Sequence, residues 1–363
     1  MENNSSAFTI RDAAPRYKEI ARKLWPDGQA PELPQTTELP ETYFDEPIAL
    51  PTVGEKLLRV STFNNWFRAA KHQKTPRELW LKTWYEGEVC CLFADSNLGK
   101  SIYAVQIGAH VARMGKRVIY CDFELTEKQI QLRYTDDNDN ILQMPETFFR
   151  ADLNPEAVPE DGEKLDKAIL RAIEEAAIAY RADTVIVDNI TYLSMLTESG
   201  DTAAELMVDL MSLKKQYGWS MLILAHTPKR LPDAPLSSND LAGSKKLFNF
   251  FDCVLALGKS VNDEGLRYVK QLKVRHGAFT YDATNVVLYE IEKLGTDLRL
   301  CERGFSTEAK LLEHATISGN ANIKQKIKEM RDAGNTQTAI AKALGISVAS
   351  VCRACKTFEK KGK

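Results

Sequence analysis

Four short apolar runs, separated by stretches with helical spacing, constrain this chain more than any other feature. The runs are "EVCCLFA", "RVIYCDF", "DTVIVD" and "SMLILAH". Between them lie "KSIYAVQIGAHVARMG", "KLDKAILRAIEEAAIAYRA" and "TAAELMVDLMSLKKQYG". Apolar runs of this length read as buried strands, and the intervening segments place apolar residues on one helical face. The alternation predicts an α/β fold with a mostly parallel sheet and helices on both of its faces. Three later runs, "CVLALGKS", "RYVKQLKVR" and "NVVLYEIEKL", are expected as antiparallel additions to one edge.

The rest of the chain divides by composition. Residues 1 to about 55 are rich in proline and acidic residues, with a short helix expected at "PRYKEIARKLW". Such a stretch reads as an arm rather than a packed unit. The expected organisation is an arm and linker over 1–78, a core over 79–301, a linker over 302–320 and a small helical unit over 321–363. At 363 residues the chain suffices for one large domain or two ordinary ones. No apolar run reaches the length of a membrane span, and "MENNSSAFTIRD" lacks signal-peptide character. Several of the seven cysteines sit in strand-like runs, as small hydrophobes do, so a reducing cytoplasm without disulfides is expected. Cys352 and Cys355 form a CxxC with no second ligand pair, which fits spacing along one helix better than zinc.

The first apolar run leads into "ADSNLGKS" and then a helix. Strand, A-x-x-x-x-G-K-S, helix is the setting of a phosphate-binding loop, with its first glycine replaced by alanine. That position only starts the turn, so the mechanism survives the change. Ala94, Asp95, Ser96, Asn97, Leu98, Gly99, Lys100, Ser101 and Ile102 are expected to bind the nucleotide. Lys100 would reach the β- and γ-phosphates at a helix N-terminus that favours an anion, and the Ser101 hydroxyl would bind Mg²⁺.

A hydrolysing site also needs a carboxylate near Mg²⁺, a group that orients water and a sensor of the γ-phosphate. Asp188 ends the strand "DTVIVD", and strand ends meet at the ligand crevice of an open α/β sheet. It is the candidate Mg²⁺ ligand, partly through water, with a turn cap as its alternative. Glu124, just past "RVIYCDF", is the candidate base. Asp122 and Glu127 are the neighbours that would simply cap the next helix. His226 ends "SMLILAH" and is the candidate sensor, or else a structural strand-end histidine.

This order of residues resembles the RecA-like ATPases, and within them the hexameric-helicase branch that includes the replicative helicases RepA and DnaB. The resemblance covers about residues 80–295 and is strongest over 90–135. It implies ATP and Mg²⁺ as ligands, and roles for Glu124, Asp188 and His226 as above. It further implies that Lys273 and Arg275 of "QLKVRHG" enter the site of an adjacent subunit, which makes a hexameric homo-oligomer the expected state. On the residues alone, this pair could instead be an exposed strand face paired with Asp263 and Glu264. Between the last two motifs, Lys229, Arg230, Lys245 and Lys246 would face single-stranded DNA in a central channel, or lie on a solvated loop. The whole chain is also similar to ATPases carried by bacterial mobile elements.

The C-terminal segment "IKQKIKEMRDAGNTQTAIAKALGISVASVCRACKTFEKKGK" reads as a helix-turn-helix. Thr336 caps its second helix, Gly345 makes the turn and Ser347 caps the third. Ile340, Leu344, Ile346, Val348 and Val351 are the expected core. Residues 321–363 carry ten Lys/Arg against three Asp/Glu, in a chain whose net charge is −2. Gln337, Ser347, Ser350, Arg353 and Lys356 are expected to meet duplex DNA in the major groove. A basic protein-docking module is the alternative. The function expected is an oligomeric, DNA-associated ATPase, a helicase or a replication or mobilisation factor of a mobile element. The rival is an ATP-switched DNA-binding regulator.

Overall fold

The computed structural model describes residues 61–154, 156–159, 163–190, 202–228, 230–241, 245–313 and 321–361. The chain divides into two units, 1–75 and 76–363. The proline-rich arm and its expected short helix lie outside the described residues. The described part of the first unit holds one helix, α1 (Phe63–Lys71), capped by the Thr62 side chain, which accepts from the Asn65 N–H. None of its residues is buried.

The second unit begins with a short antiparallel pair, β1 (Glu78–Trp80) and β2 (Trp84–Tyr85). A nine-stranded sheet follows, in the order β11-β10-β9-β8-β3-β7-β6-β4-β5. Its strands are β3 (Val89–Ala94), β4 (Val118–Asp122), β5 (Phe148–Ala151), β6 (Thr184–Asp188) and β7 (Ser220–His226), then β8 (Cys253–Lys259), β9 (Leu266–Val274), β10 (Val286–Leu294) and β11 (Asp297–Ser306). All pairs from β8 through β5 are parallel, and β9, β10 and β11 add antiparallel to one edge. The α/β class with a mostly parallel sheet is therefore as expected. One strand differs. "CVLALGK", expected among the antiparallel additions, is parallel to β3 and lies inside the sheet. Its first six residues are all buried, the pattern of a strand covered on both faces.

Alternation along the strands separates two cores. Val89, Cys91 and Phe93 face one side, with Ile169, Leu170 and Ile173 of α4 (Leu165–Ala179) and Leu206, Met207 and Leu210 of α5 (Thr202–Tyr217). Cys90, Leu92 and Ala94 face the other, under Tyr103, Ile107 and Val111 of α2 (Lys100–Arg113). Helix α3 (Glu127–Arg133) follows β4, and α6 (Lys245–Phe250) precedes β8.

The expected linker from 302 starts too early. β11 pairs with β10 as far as Ser306, and α7 (Glu308–Leu312) buries Leu311, Leu312 and Glu308. The buried Glu308 carboxylate accepts from the Leu236 N–H at 2.9 Å, the Tyr268 hydroxyl at 3.0 Å and the Lys270 ammonium. Those partners are distant in sequence, which is why the segment reads as polar linker in the chain.

Three helices end the chain: α8 (Ala321–Asp332), α9 (Gln337–Leu344) and α10 (Val348–Lys361). The Thr336 hydroxyl accepts from Ala339 N–H at 3.2 Å, and the Ser347 hydroxyl from Ser350 N–H at 3.1 Å. Gly345 at φ 62° supplies the left-handed residue of the turn, and α9 and α10 lie at 116° to each other. Ile327, Ile340, Ala341, Ile346, Val351, Ala354 and Cys355 form the core. Val348, expected in that core, is 44% exposed because it starts α10 on the outer side. No single helix among the described residues is long and apolar enough to cross a membrane, and the seven cysteines are free thiols.

Candidate functional site

The ends of three parallel strands, β3, β4 and β7, meet at one cleft of about 490 Å³. β3 ends at Ala94, and residues 95–99 turn back into α2. Gly99, at φ 93°, is the residue before α2, and its α-carbon faces Ile291 of β10 so closely that a Cβ would sit 2.6 Å from Ile291 Cδ1. The left-handed φ makes any side chain at position 99 strained, and Ile291 Cδ1 would also have to move aside. Lys100 opens α2 and is only 5% exposed. Burial draws its ammonium below the usual lysine range, against the pull of Asp188 and Glu124.

The Lys100 ammonium lies 3.1 Å from the Ala225 carbonyl and 3.1 Å from His226 Nδ1, both at the end of β7. The ammonium is also 3.5 Å from His226 Nε2, and Asn189 Nδ2 lies 3.1 Å from that same nitrogen. Nε2 is 3.1 Å from Glu124 Oε1. Asn189 Nδ2 donates to the same carboxylate oxygen. The hydrogen bond from His226 is the main cause holding the Glu124 carboxyl below its ordinary range. Lys100, His226 and Glu124 thus form one chain of contacts across the cleft.

β4 and β3 are not neighbours, since β7 and β6 lie between them. The turn after β4 carries Glu124 back to the site. Asp122 shapes that turn: its Oδ1 accepts from the Glu124 and Leu125 N–H groups at 3.2 and 3.0 Å, and Arg150 Nε donates to its Oδ2 at 3.1 Å. Helix α3 is capped by Thr126 with Gln129, not by Asp122 or Glu127.

Asp188 ends β6, fully buried. Its Oδ2 accepts from the Tyr120 hydroxyl at 2.5 Å, while Oδ1 has no hydrogen-bond partner. Burial raises its carboxyl above the usual range, with the nearby Ser101 and Tyr120 hydroxyls pulling the other way. An orphaned buried carboxylate oxygen beside the Ser101 hydroxyl is what a hydrated divalent cation would satisfy, so the residues present fit Mg²⁺.

The cleft also holds Arg133, the last residue of α3. Its only signal in the sequence is a basic residue at the end of the helix after Glu124. Ile291, from the antiparallel edge, has no local signal. Lys273 and Arg275 lie elsewhere. Arg275 hydrogen-bonds Asp252 Oδ1 at 2.9 Å and the Asn249 carbonyl, and Lys273 donates to the Phe248 and Asn249 carbonyls. These partners adjoin Val89, the opposite end of β3 from the phosphate loop, about 16 Å along the strand. The pair cannot serve the cleft of its own chain. Its partners are also not Asp263 and Glu264, because the register of β8 against β9 sets Lys273 opposite Val254.

Of the residues expected to meet DNA, Arg230 is turned inward, its side chain 8% exposed and facing Asp95 and Asp240. Lys229 lies outside the described residues, as do the side chains of Lys245, Lys246 and Lys356. Gln337 is half-buried at the start of α9. Ser347 and Ser350 bond each other at 2.9 Å, and Arg353 is exposed on α10.

A family model described as an AAA domain matches residues 56–231. The DNA repair protein RadA of Campylobacter jejuni is 26% identical over 197 residues, 53% of this chain and 38% of that protein. The chain therefore matches well under half the length of this curated relative. A KaiC-like protein of Pyrococcus horikoshii aligns with a TM-score of 0.45 and 15% identity, over 60% of this chain and 91% of that one. Residues 56–231, which include the phosphate loop between β3 and α2, are thus similar to an AAA domain, and the second unit has the mixed α/β fold with a mostly parallel sheet expected of such a core.

Proposed function

We propose that this chain binds ATP with Mg²⁺, hydrolyses it, and does so as an oligomer on DNA. The observation that carries the reading is the convergence of Lys100, Glu124 and His226 on one cleft, with Asp188 buried behind it beside Ser101. The loop backbone and the α2 N-terminus would cradle the phosphates. Lys100 would exchange Ala225 O and His226 Nδ1 for phosphate oxygens. Ser101 and Asp188 would hold Mg²⁺, whose chemistry is to neutralise charge on the β- and γ-oxygens. Glu124 would accept the proton of the attacking water. Its His226 and Asn189 hydrogen bonds make it a weak base until they are broken. Because His226 touches both Lys100 and Glu124, movement of Lys100 onto phosphate would release Glu124 as well. The histidine would thereby report the γ-phosphate.

Lys273 and Arg275, remote from their own cleft, would complete the site of an adjacent copy, which supports a ring such as a hexamer. The finer reading is a RepA-like helicase or a replication or mobilisation factor of a mobile element. The 116° angle between α9 and α10, the caps at Thr336 and Ser347 and the local excess of Lys/Arg support a helix-turn-helix on duplex DNA. Six copies on one ring would multiply that contact by avidity. The same unit favours the second reading, a DNA-binding regulator in which ATP sets only the assembly state.

The test is ATP turnover without DNA, with single strands and with duplex, at fixed salt, while light scattering follows assembly. Strong stimulation by single strands in a ring-sized species is expected. Slow turnover indifferent to single strands, with duplex binding that needs residues 321–363, would establish the regulator instead.

A further inference from the structure

Asp95 places a carboxylate in the loop that the reading above gives to polyphosphate. Its carboxylate lines the cleft, where it would repel the ligand's negative charge. Two residues beyond β7 answer it. The Thr227 hydroxyl donates to Asp95 Oδ1, and the Thr227 N–H to the Ala94 carbonyl at 3.3 Å. Arg230 places Nη1 3.8 Å from Asp95 Oδ2 and Nε 3.6 Å from Asp240 Oδ1, and Nη2 donates to the Ala234 carbonyl. Arg230 Nε is buried without a hydrogen bond, so the guanidinium is held between the two carboxylates rather than locked onto either.

Asp240 in turn accepts from the Ser237 N–H at 2.7 Å and hydroxyl at 2.9 Å. Next to it, the Leu236 N–H is bound by the buried Glu308. Residues 227–228 and 230–241 are therefore tied to the body of the domain at Leu236 and to the phosphate loop at Asp95. Arg230 is the charged link between those anchors.

We propose that Arg230 is a positioning residue that neutralises Asp95 in the phosphate loop and makes the conformation of segment 227–241 depend on nucleotide occupancy. The inference rests on the nucleotide-binding reading above. A polyphosphate entering beside Asp95 competes for the same guanidinium. As Arg230 shifts toward the added charge, its hold on Asp240 and the Ala234 carbonyl loosens, and the surface loop beyond His226 changes with it. Arg230 thus acts through Asp95 and not as a contact to DNA phosphates.

The experiment is a charge cycle on the full chain, with MgADP titrated calorimetrically and hydrogen exchange of 227–241 measured with and without MgADP. Arg230→Ala is expected to weaken MgADP about tenfold, because Asp95 is left uncompensated. In the Asp95→Asn background the same substitution is expected to change affinity less than twofold, a rescue that a purely structural role would not produce. Exchange over 227–241 is expected to respond to MgADP in the unmodified chain and not in the double variant. Arg230→Lys, which keeps the charge, serves if the alanine variant does not fold, and is expected to bind within about threefold of the unmodified chain. Equal losses from Arg230→Ala in both backgrounds, or a nucleotide response of 227–241 that survives in the double variant, would overturn the proposal. Failure of the unmodified chain to bind MgADP would instead overturn the nucleotide reading itself.

Discussion

The two ends of β3 carry the same kinds of buried charge and use them oppositely. At the N-terminal end, Asp252 accepts from Val89 N–H at 2.9 Å, Arg275 at 2.9 Å and Lys214 at 3.3 Å. Both oxygens are satisfied by the chain itself. At the C-terminal end, Asp188 has one oxygen with no partner, and Lys100 leans on a carbonyl and an imidazole rather than a carboxylate. The completed partners of Asp252 fit a structural role, while the outstanding oxygen of Asp188, beside Ser101 and Lys100, fits the proposed cation.

The strongest way to break that contrast is Lys100→Ala. It is expected to reduce ATP turnover about a thousandfold or more, since one group binds phosphate in the ground state and stabilises charge in the transition state. Steady-state phosphate release measures it, and turnover near that of the unmodified protein would remove the loop assignment. Glu124→Gln is expected to lower turnover by about 10²–10⁴-fold while leaving nucleotide bound, which filter retention of labelled ATP would show.

A paired comparison of stability sharpens the point. Asp252→Ala strands the Val89 N–H and leaves two cations uncompensated, so a loss of about 2–4 kcal/mol is expected in urea unfolding. Asp188→Asn removes a carboxylate that burial already disfavours in its charged form, and should stay within about 1 kcal/mol while abolishing Mg²⁺-dependent turnover. If Asp188→Asn proved the more destabilising, Asp188 would be a structural residue and the two ends would be alike.

A further expected effect concerns acid stability, away from both ends. Burial raises the Glu86 carboxyl, but the Lys116 ammonium at 2.6 Å together with Arg77 brings it down to about 2, from an ordinary 4.5. A depressed carboxylate stabilises the fold above its unfolded value and loses that contribution as pH falls through its folded value. Because solvent screens a surface pair of this kind, the stability difference between the unmodified chain and Glu86→Gln is expected to be under about 1 kcal/mol at pH 7 and to shrink between pH 4.5 and 2. Denaturant midpoints across that range would measure it, and a flat difference would mean that Glu86 carries no net ion-pair stabilisation.

Residue type and period are local properties, so the sequence alone determined the alternation of strands and helices, the loop 94–102 and the caps of α9 and α10. They specify which segments are buried and where helices begin. Pairing is not local. That β8 is parallel and interior, that residues 302–312 belong to the core, and that Glu124 reaches the cleft from two strands beyond β7 all depend on strand order. The inward turn of Arg230 depends on Asp95 and Asp240, 135 positions before it and ten after it. Glu308 looks like linker until Leu236, Tyr268 and Lys270 close around it. Only the tertiary structure decides which charges find partners within the chain, because a partner satisfies a charge by distance in space, and the sequence orders residues only along the backbone.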